Sequence, residues 1–255
     1  MIELDGVRKS FDGGRTWAVQ PTSLSVARGA FLAVVGGSGS GKTTLVKMIN
    51  RLIEPDGGEV RVDGAPVGAG PAHILRRRIG YVFQGVGLFP HLTIGENVGV
   101  TPRLLGWERE RTEARVRELI ALVGLPPEFA ARSPAQLSGG QRQRVGLARA
   151  LAAEPDVVLL DEPFGALDAV TRDELGAEYR RLHERLGLTT LMITHDVLEA
   201  VLLADEIAVM REGRLLARGA PAEMMGDHPD AYVRTLMQTP RRQAEAVAAM
   251  LEGER

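Results

Sequence analysis

The residues Gly36-Gly37-Ser38-Gly39-Ser40-Gly41-Lys42-Thr43-Thr44 carry the densest chemistry in this sequence. Their spacing is G-x-x-x-x-G-K-[ST], with Gly36, Gly41, Lys42 and Thr43 at the fixed positions. The chemistry on offer is anion binding. Glycines let successive backbone N–H groups turn toward a phosphate chain, and a helix starting behind them adds a favourable dipole. Lys42 is expected to reach the terminal phosphates of a nucleotide, and the Thr43 hydroxyl to ligate Mg²⁺. The 255 residues hold 30 glycines but only three lysines, so a lysine at this point is informative. A flexible glycine loop containing Lys-Thr would carry the same letters, and context has to separate the two readings.

That context is a strand before the loop and a helix after it. Phe31-Leu32-Ala33-Val34-Val35 is a short apolar run suited to a buried strand. Leu45-Val46-Lys47-Met48-Ile49 places apolar residues as a helix packing on a sheet would. A second apolar run, Val157-Val158-Leu159-Leu160, ends in Asp161-Glu162. An all-apolar strand belongs at the centre of a parallel sheet, and ligands bind at the carboxyl ends of such strands. Asp161 is placed to hold Mg²⁺, directly or through water, and Glu162 to polarise a water. An ordinary Asp-Glu-Pro turn would look alike. Thr189 to Thr194 reads as another central strand and leads to His195, which could donate to a γ-phosphate or serve a structural role.

Further candidates are more ambiguous. Gln84 follows the strand-like run 79–83 and could contact Mg²⁺ or an attacking water, or be a simple edge residue. Phe11 precedes the turn Asp12-Gly13-Gly14 and could stack on an adenine ring or sit in a core. Ser138 is a good N-cap, and Gly139, Gly140 and Gln141 then open a helix running to about residue 152. Two glycines in a first turn cost helix stability. A second anion-binding helix start explains them better than a capped helix does.

The remaining organisation is ordinary for one globular unit. Residues 2–35 and 59–83 read as short strands, with Arg76-Arg77-Arg78 as a solvated face. Residues 88–132 turn helical, with Val116, Leu119, Ile120 and Val123 on one face before Gly124. A helix is expected from about 170 to 186, then a closing hairpin around Glu212-Gly213. The last residues put Ala244, Val247, Ala248 and Leu251 on one helical face, a tail that either docks or is disordered. The net charge of -2 gives no sign of a nucleic-acid binder. Without cysteine there are neither disulfides nor thiolate metal sites. No apolar run reaches bilayer length, and the acidic, strand-like start is unlike a signal peptide. The expected location is the cytoplasm, with any membrane role exercised through a partner.

In this order, phosphate loop, Gln84, Leu137-Ser138-Gly139-Gly140-Gln141, Asp161-Glu162, Leu167-Asp168 and His195 together resemble the ATP-binding subunit of ABC transporters. The resemblance runs from Ile2 to about Leu236. It implies a P-loop NTPase (RecA-like) α/β core with an N-terminal antiparallel β portion and an inserted α-helical subdomain at about 88–152. Residues 1–236 would form the ATP-binding domain and 237–255 a C-terminal helical tail. The implied cofactors are ATP and Mg²⁺. Phe11 matches the aromatic that stacks on adenine, a position more often Tyr in the family. Residues 36–44 match the phosphate loop. Thr43, Gln84 and Asp161 match the Mg²⁺-associated set, with Gln84 linking the metal to the transporter interface. Lys42, Glu162 as general base and His195 as the γ-phosphate sensor match the catalytic set. Ser138 to Gln141 match the signature facing the ATP of a second protomer, with Asp168 expected at the nucleotide.

The implied partners are a second copy, transmembrane permease subunits and, indirectly, a periplasmic or extracellular substrate-binding protein. The subunit would sit on the cytoplasmic face of the membrane. No nucleic acid is expected, and the DNA- and ribosome-acting ABC ATPases fit less well because their insertions or paired cassettes are missing. A non-catalytic nucleotide sensor fits poorly with intact Lys42, Glu162 and His195. Two stretches, Gln84 to His91 and Leu236 to Gln243, look like the corresponding parts of quaternary-amine osmoprotectant importers. These carry glycine betaine, choline or carnitine, and an amino-acid importer is the nearest competitor. Many members of that subfamily continue into paired regulatory domains. The sequence here stops at Arg255, and ionic-strength sensing by such domains is not expected.

Overall fold

The computed structural model describes residues 1–253. Its centre is a six-stranded sheet in the order β10-β9-β3-β8-β7-β6. The strands are β3 (Phe31–Val35), β6 (Ile79–Val82), β7 (Val157–Asp161), β8 (Thr189–Thr194), β9 (Glu206–Arg211) and β10 (Arg214–Gly219). Strands β9, β3, β8, β7 and β6 run parallel, and β10 closes the edge as an antiparallel hairpin with β9. Every residue of β3, β7 and β8 is buried. Their side chains divide between two cores: Phe31, Ala33, Val158 and Leu160 face one, Leu32, Val34, Val157 and Leu159 the other. A strand buried on both faces needs no polar alternation, which is why these runs read as uninterrupted apolar sequence.

One face is covered by a second, antiparallel sheet in the order β2-β1-β4-β5. Its strands are β1 (Ile2–Lys9), β2 (Val19–Val26), β4 (Gly57–Val62) and the short β5 (Ala65–Pro66). Here the pattern does alternate, since Ile2 and Leu4 are buried while Glu3 and Asp5 are exposed. The β1 register slips between Leu4 and Val7, where Gly6 takes φ +57°. Helix α1 (Lys42–Ile49) lies in the same layer, its Leu45, Val46, Met48 and Ile49 buried.

The other face is helical. Between β6 and β7 the chain builds α3 (Ile94–Val98), α4 (Val100–Leu104), α5 (Arg109–Leu122) and α6 (Gly139–Leu151). The four apolar residues expected on one helical face, Val116, Leu119, Ile120 and Val123, are all buried. Helices α7 (Ala169–Leu186) and α8 (Val197–Leu203) complete this side, followed by α9 (Pro221–Met224), α10 (Ala231–Met237) and α11 (Thr239–Gly253).

Two expectations need correction. Residues 59–83 are not all strand, because α2 (Ala72–Arg78) intervenes. Its arginines are exposed or half-buried, as a solvated face requires, and Arg76 also donates to the carbonyls of Asn50 and Arg51, stitching α2 to the end of α1. The tail is a helix from Thr239 to Gly253, yet its apolar face is not docked. Ala244, Val247, Ala248 and Leu251 are exposed. No helix among the described residues is long and apolar enough to cross a membrane.

Candidate functional site

The glycine loop joins β3 to α1 at the carboxyl end of the parallel sheet, as the strand–loop–helix pattern requires. Two of its glycines are dictated by close approach. A β-carbon on Gly36 would lie 2.1 Å from the Met210 carbonyl, and one on Gly41 2.3 Å from the Ala18 carbonyl. Gly41 also takes φ +102° as the N-cap of α1, where no side chain caps the helix. The first amides of α1 thus keep no intrahelical acceptor, the arrangement that receives an anion. Lys42 is buried, and its Nζ donates to Gly36 O at 2.8 Å, Gly37 O at 3.0 Å and Ser40 Oγ at 3.3 Å. Burial pushes the Lys42 ammonium below its usual range, and the nearby Glu162 and Asp161 charges oppose that shift.

The second half of the site comes from the ends of β6, β7 and β8. Asp161 is buried at the end of β7. Its Oδ1 lies 3.4 Å from Thr43 Oγ1, and its Oδ2 accepts from the Tyr81 hydroxyl at 3.1 Å. Burial pushes the Asp161 carboxyl up, while the Tyr81 and Thr43 hydroxyls and Lys47 draw it down. Thr43 and Asp161 are hard oxygen donors side by side. No cluster of three His, Cys, Asp or Glu side chains exists among the described residues. Such a donor set fits Mg²⁺, which keeps waters and phosphate oxygens in its shell, better than a cation that needs an all-protein cage.

Glu162 follows with φ +47°, a left-handed conformation that is costly for a non-glycine residue and clusters at functional sites. Its Oε2 accepts from Gln84 Nε2 at 3.0 Å and lies 3.4 Å from His195 Nδ1. Three residues from three separate strand ends therefore meet on one carboxylate oxygen. Ala18, Ser38 to Thr44, Gln84 and Glu162 line a cleft of about 430 Å³. The Gln84 loop is held from behind by Arg149 of α6, which donates to Val86 O at 2.6 Å and Gly87 O at 2.7 Å.

Other expected residues stand apart from this cleft. Ser138 and Gln141 form a reciprocal capping box at the start of α6, and Ser138 and Gly139 are exposed. Asp168 caps α7 by accepting from Thr171 N at 3.0 Å. None of these lines the cleft of its own chain. Phe11 is 65% exposed, so it is no core residue. It sits in a turn tied together by Ser10, Asp12 and Thr16. Sequence reasoning missed Tyr81, whose only signal was a hydroxyl within an apolar strand. It also missed Arg149, which carried no local signal.

A model described as ABC transporter matches residues 19–165, from β2 through the Asp161-Glu162 corner. The chain belongs to the ABC transporter family. The cassette is similar to the glycine betaine/carnitine/choline transport ATP-binding protein OpuCA of Bacillus subtilis (strain 168), with 46% identity over 91% of this chain. It is similar also to the Fe(3+) ions import ATP-binding protein FbpC 1 of Rhodococcus jostii (strain RHA1), with 48% identity over 88% of this chain. The chain spans 61% of the first relative's length and 63% of the second's. Among solved structures, the ATP-binding cassette MJ0796, dimeric and bound to ADP and Pi, superposes with a TM-score of 0.78 at 34% identity. That match covers 86% of this chain and 98% of the other, and it fixes the fold as an ABC cassette with its P-loop NTPase core.

Proposed function

We propose that this chain hydrolyses ATP to power a membrane importer whose cargo is a quaternary-amine osmoprotectant. The observation that carries the hydrolytic part is the meeting of the loop 38–44, Lys42 included, with Gln84 and Glu162 in one cleft, with His195 3.4 Å from the Glu162 carboxylate. The phosphates of ATP would lie on the amides of residues 38–44, with Lys42 leaving the loop carbonyls to meet the terminal phosphates. Thr43 and Asp161, with Gln84 nearby, would hold Mg²⁺, which when bound offsets charge on the phosphate oxygens. Glu162 would orient the attacking water and accept its proton, and His195 would donate to the γ-phosphate. Positioning and charge stabilisation supply most of the rate in such transfers. Phe11, exposed at its turn, is free to stack on the adenine.

The assembly belongs to the same proposal. Ser138 to Gln141 and Asp168 stand outside the cleft of their own chain, which suits a head-to-tail second copy whose nucleotide they would complete. Residues 1–236 would form the cassette, with 88–152 as its helical subdomain and 237–255 as a tail. A groove of about 380 Å³ beside the Gln84 loop, lined by Phe83, Phe89 and Arg149, would receive a permease segment. The subunit would thereby sit on the cytoplasmic face of a membrane, and a binding protein on the far side would read the cargo.

The cargo itself rests on likeness to OpuCA and on the residues around Gln84 and Leu236. The test is uptake by cells lacking this chain. Lost accumulation of labelled glycine betaine, choline or carnitine supports the reading. Unchanged uptake of all three, with loss of an amino acid or of ferric iron, rejects it.

A further inference from the structure

Tyr232 of α10 touches the phosphate loop. The Gly37 N–H donates to its hydroxyl at 3.2 Å, across 195 residues of chain. The N–H and C=O of one peptide unit point in opposite directions. The unit that contributes Gly37 N–H also contributes Gly36 C=O, and that carbonyl accepts from Lys42 Nζ at 2.8 Å. The 36–37 peptide is therefore gripped at both ends, by Tyr232 on one side and by Lys42 on the other.

The grip matters because both flanking residues are glycine. A peptide between two glycines rotates with little steric resistance, so local sequence does not choose its orientation. Tyr232 is itself well held. Its backbone N–H donates to Asp230 Oδ1 at 2.8 Å at the start of α10, and the Arg211 guanidinium lies 4.7 Å from its ring centroid. We infer that Tyr232 is a positioning residue for the phosphate loop: it pins the Gly36–Gly37 peptide and through it the resting place of Lys42. This rests on the reading of residues 36–44 as the seat of the ATP phosphates.

The experiment is calorimetry of the full chain with MgATP and with magnesium triphosphate, which lacks the base and sugar. Tyr232→Phe removes the acceptor and keeps the ring over Arg211. Affinity for both ligands is expected to fall by the same factor, roughly three- to tenfold, the scale of one neutral hydrogen bond. The thermal midpoint of the unliganded protein should fall by no more than about 2–4 °C, the scale of the same single bond. In a Gly37→Ala background the loss should shrink, because a β-carbon restrains the peptide without the tyrosine. That β-carbon would sit 3.7 Å from the Tyr232 hydroxyl, an ordinary contact. Unchanged affinities in Tyr232→Phe, with binding lost in Lys42→Ala, overturn the inference and leave the reading of the loop standing. Weakened MgATP with unweakened triphosphate also overturns it. A Lys42→Ala protein that binds both like wild type brings down the inference and the reading together.

Discussion

Gln84 Nε2 donates to Glu162 Oε2 at 3.0 Å, joining two side chains 78 residues apart. The bond ties Glu162, the carboxylate proposed as the base, to a loop on the rim of the apolar groove. Arg149 grips the same loop from α6, the helix that Ser138 opens. A displacement at the groove would reach Glu162 through one side chain, and a displacement of α6 would reach it through two.

The first prediction follows from Glu162 itself. Glu162→Gln keeps the shape and can still meet Gln84, but it cannot accept a proton. Hydrolysis should fall roughly 10²–10⁴-fold while ATP binding survives. If hydrolysis separates the two protomers, the variant should accumulate as an ATP-bound dimer on size exclusion. Wild-type turnover would remove Glu162 from the role of base.

Tyr81 yields the second. Its hydroxyl holds Asp161 Oδ2, and burial makes an unpaired carboxylate there costly. Tyr81→Phe leaves the aromatic packing against Phe83, whose ring centroid is 4.3 Å away. The Mg²⁺ concentration for half-maximal ATPase should rise several-fold, with smaller change in the ATP dependence at saturating Mg²⁺. Equal effects on both would mean that Tyr81 supports the site generally and not the metal-side carboxylate.

The parts of this molecule that the sequence disclosed are those whose chemistry is local. Residues 36–44 carry their own geometry, and strands buried on both faces announce themselves by apolar runs such as 157–160. What escaped notice depends on distant neighbours. Tyr81 reads as one more strand residue until Asp161 is seen beside it. Tyr232 lies in a short helix near the other end of the chain, and only the fold brings it to Gly37. Helix α2 has no buried residue, so it lacks the periodicity by which a helix is recognised. The stripe from Ala244 to Leu251 has that periodicity yet stays exposed, because amphipathicity predicts a face and not its cover.

Buried charge gives the third prediction. Glu199 on α8 is buried, and burial pushes its carboxyl from 4.5 up to about 7. Asp196 and Glu162 push the same way, while the Thr194 hydroxyl and Arg172 pull it down. The folded state therefore binds this proton more tightly than the unfolded state does. Its contribution to stability is fully present below about pH 4.5 and is lost as pH rises toward 7. Glu199→Gln removes the ionisation, so the variant should exceed wild type at pH 8 by about 1–3 kcal/mol. The gain should fade near pH 4.5. Urea unfolding at the two pH values measures it, and a variant weaker than wild type at pH 8 would show that the fold relies on the ionised form.

The last prediction concerns a shared site. Ser138 and Gly139 expose the start of α6 away from the cleft that holds Lys42, so one chain has two open helix starts that do not meet. A head-to-tail pair would bring α6 of one protomer to the phosphate loop of the other. Ser138→Arg fills the helix start with bulk, and Lys42→Ala empties the phosphate loop of its only side-chain cation. Each variant alone should be inactive, because every site in its dimer carries the lesion. In a mixed dimer, one site pairs the intact Lys42 of the Ser138→Arg protomer with the intact Ser138 of the Lys42→Ala protomer. The other site carries both lesions. ATPase should therefore reappear on mixing, at no more than about half the wild-type rate per dimer if one sound site turns over alone. The activity should follow the heterodimer fraction as the mixing ratio is varied. Full activity of the Ser138→Arg protein on its own would show that each chain completes its site without help, and the shared-site arrangement would have to be abandoned.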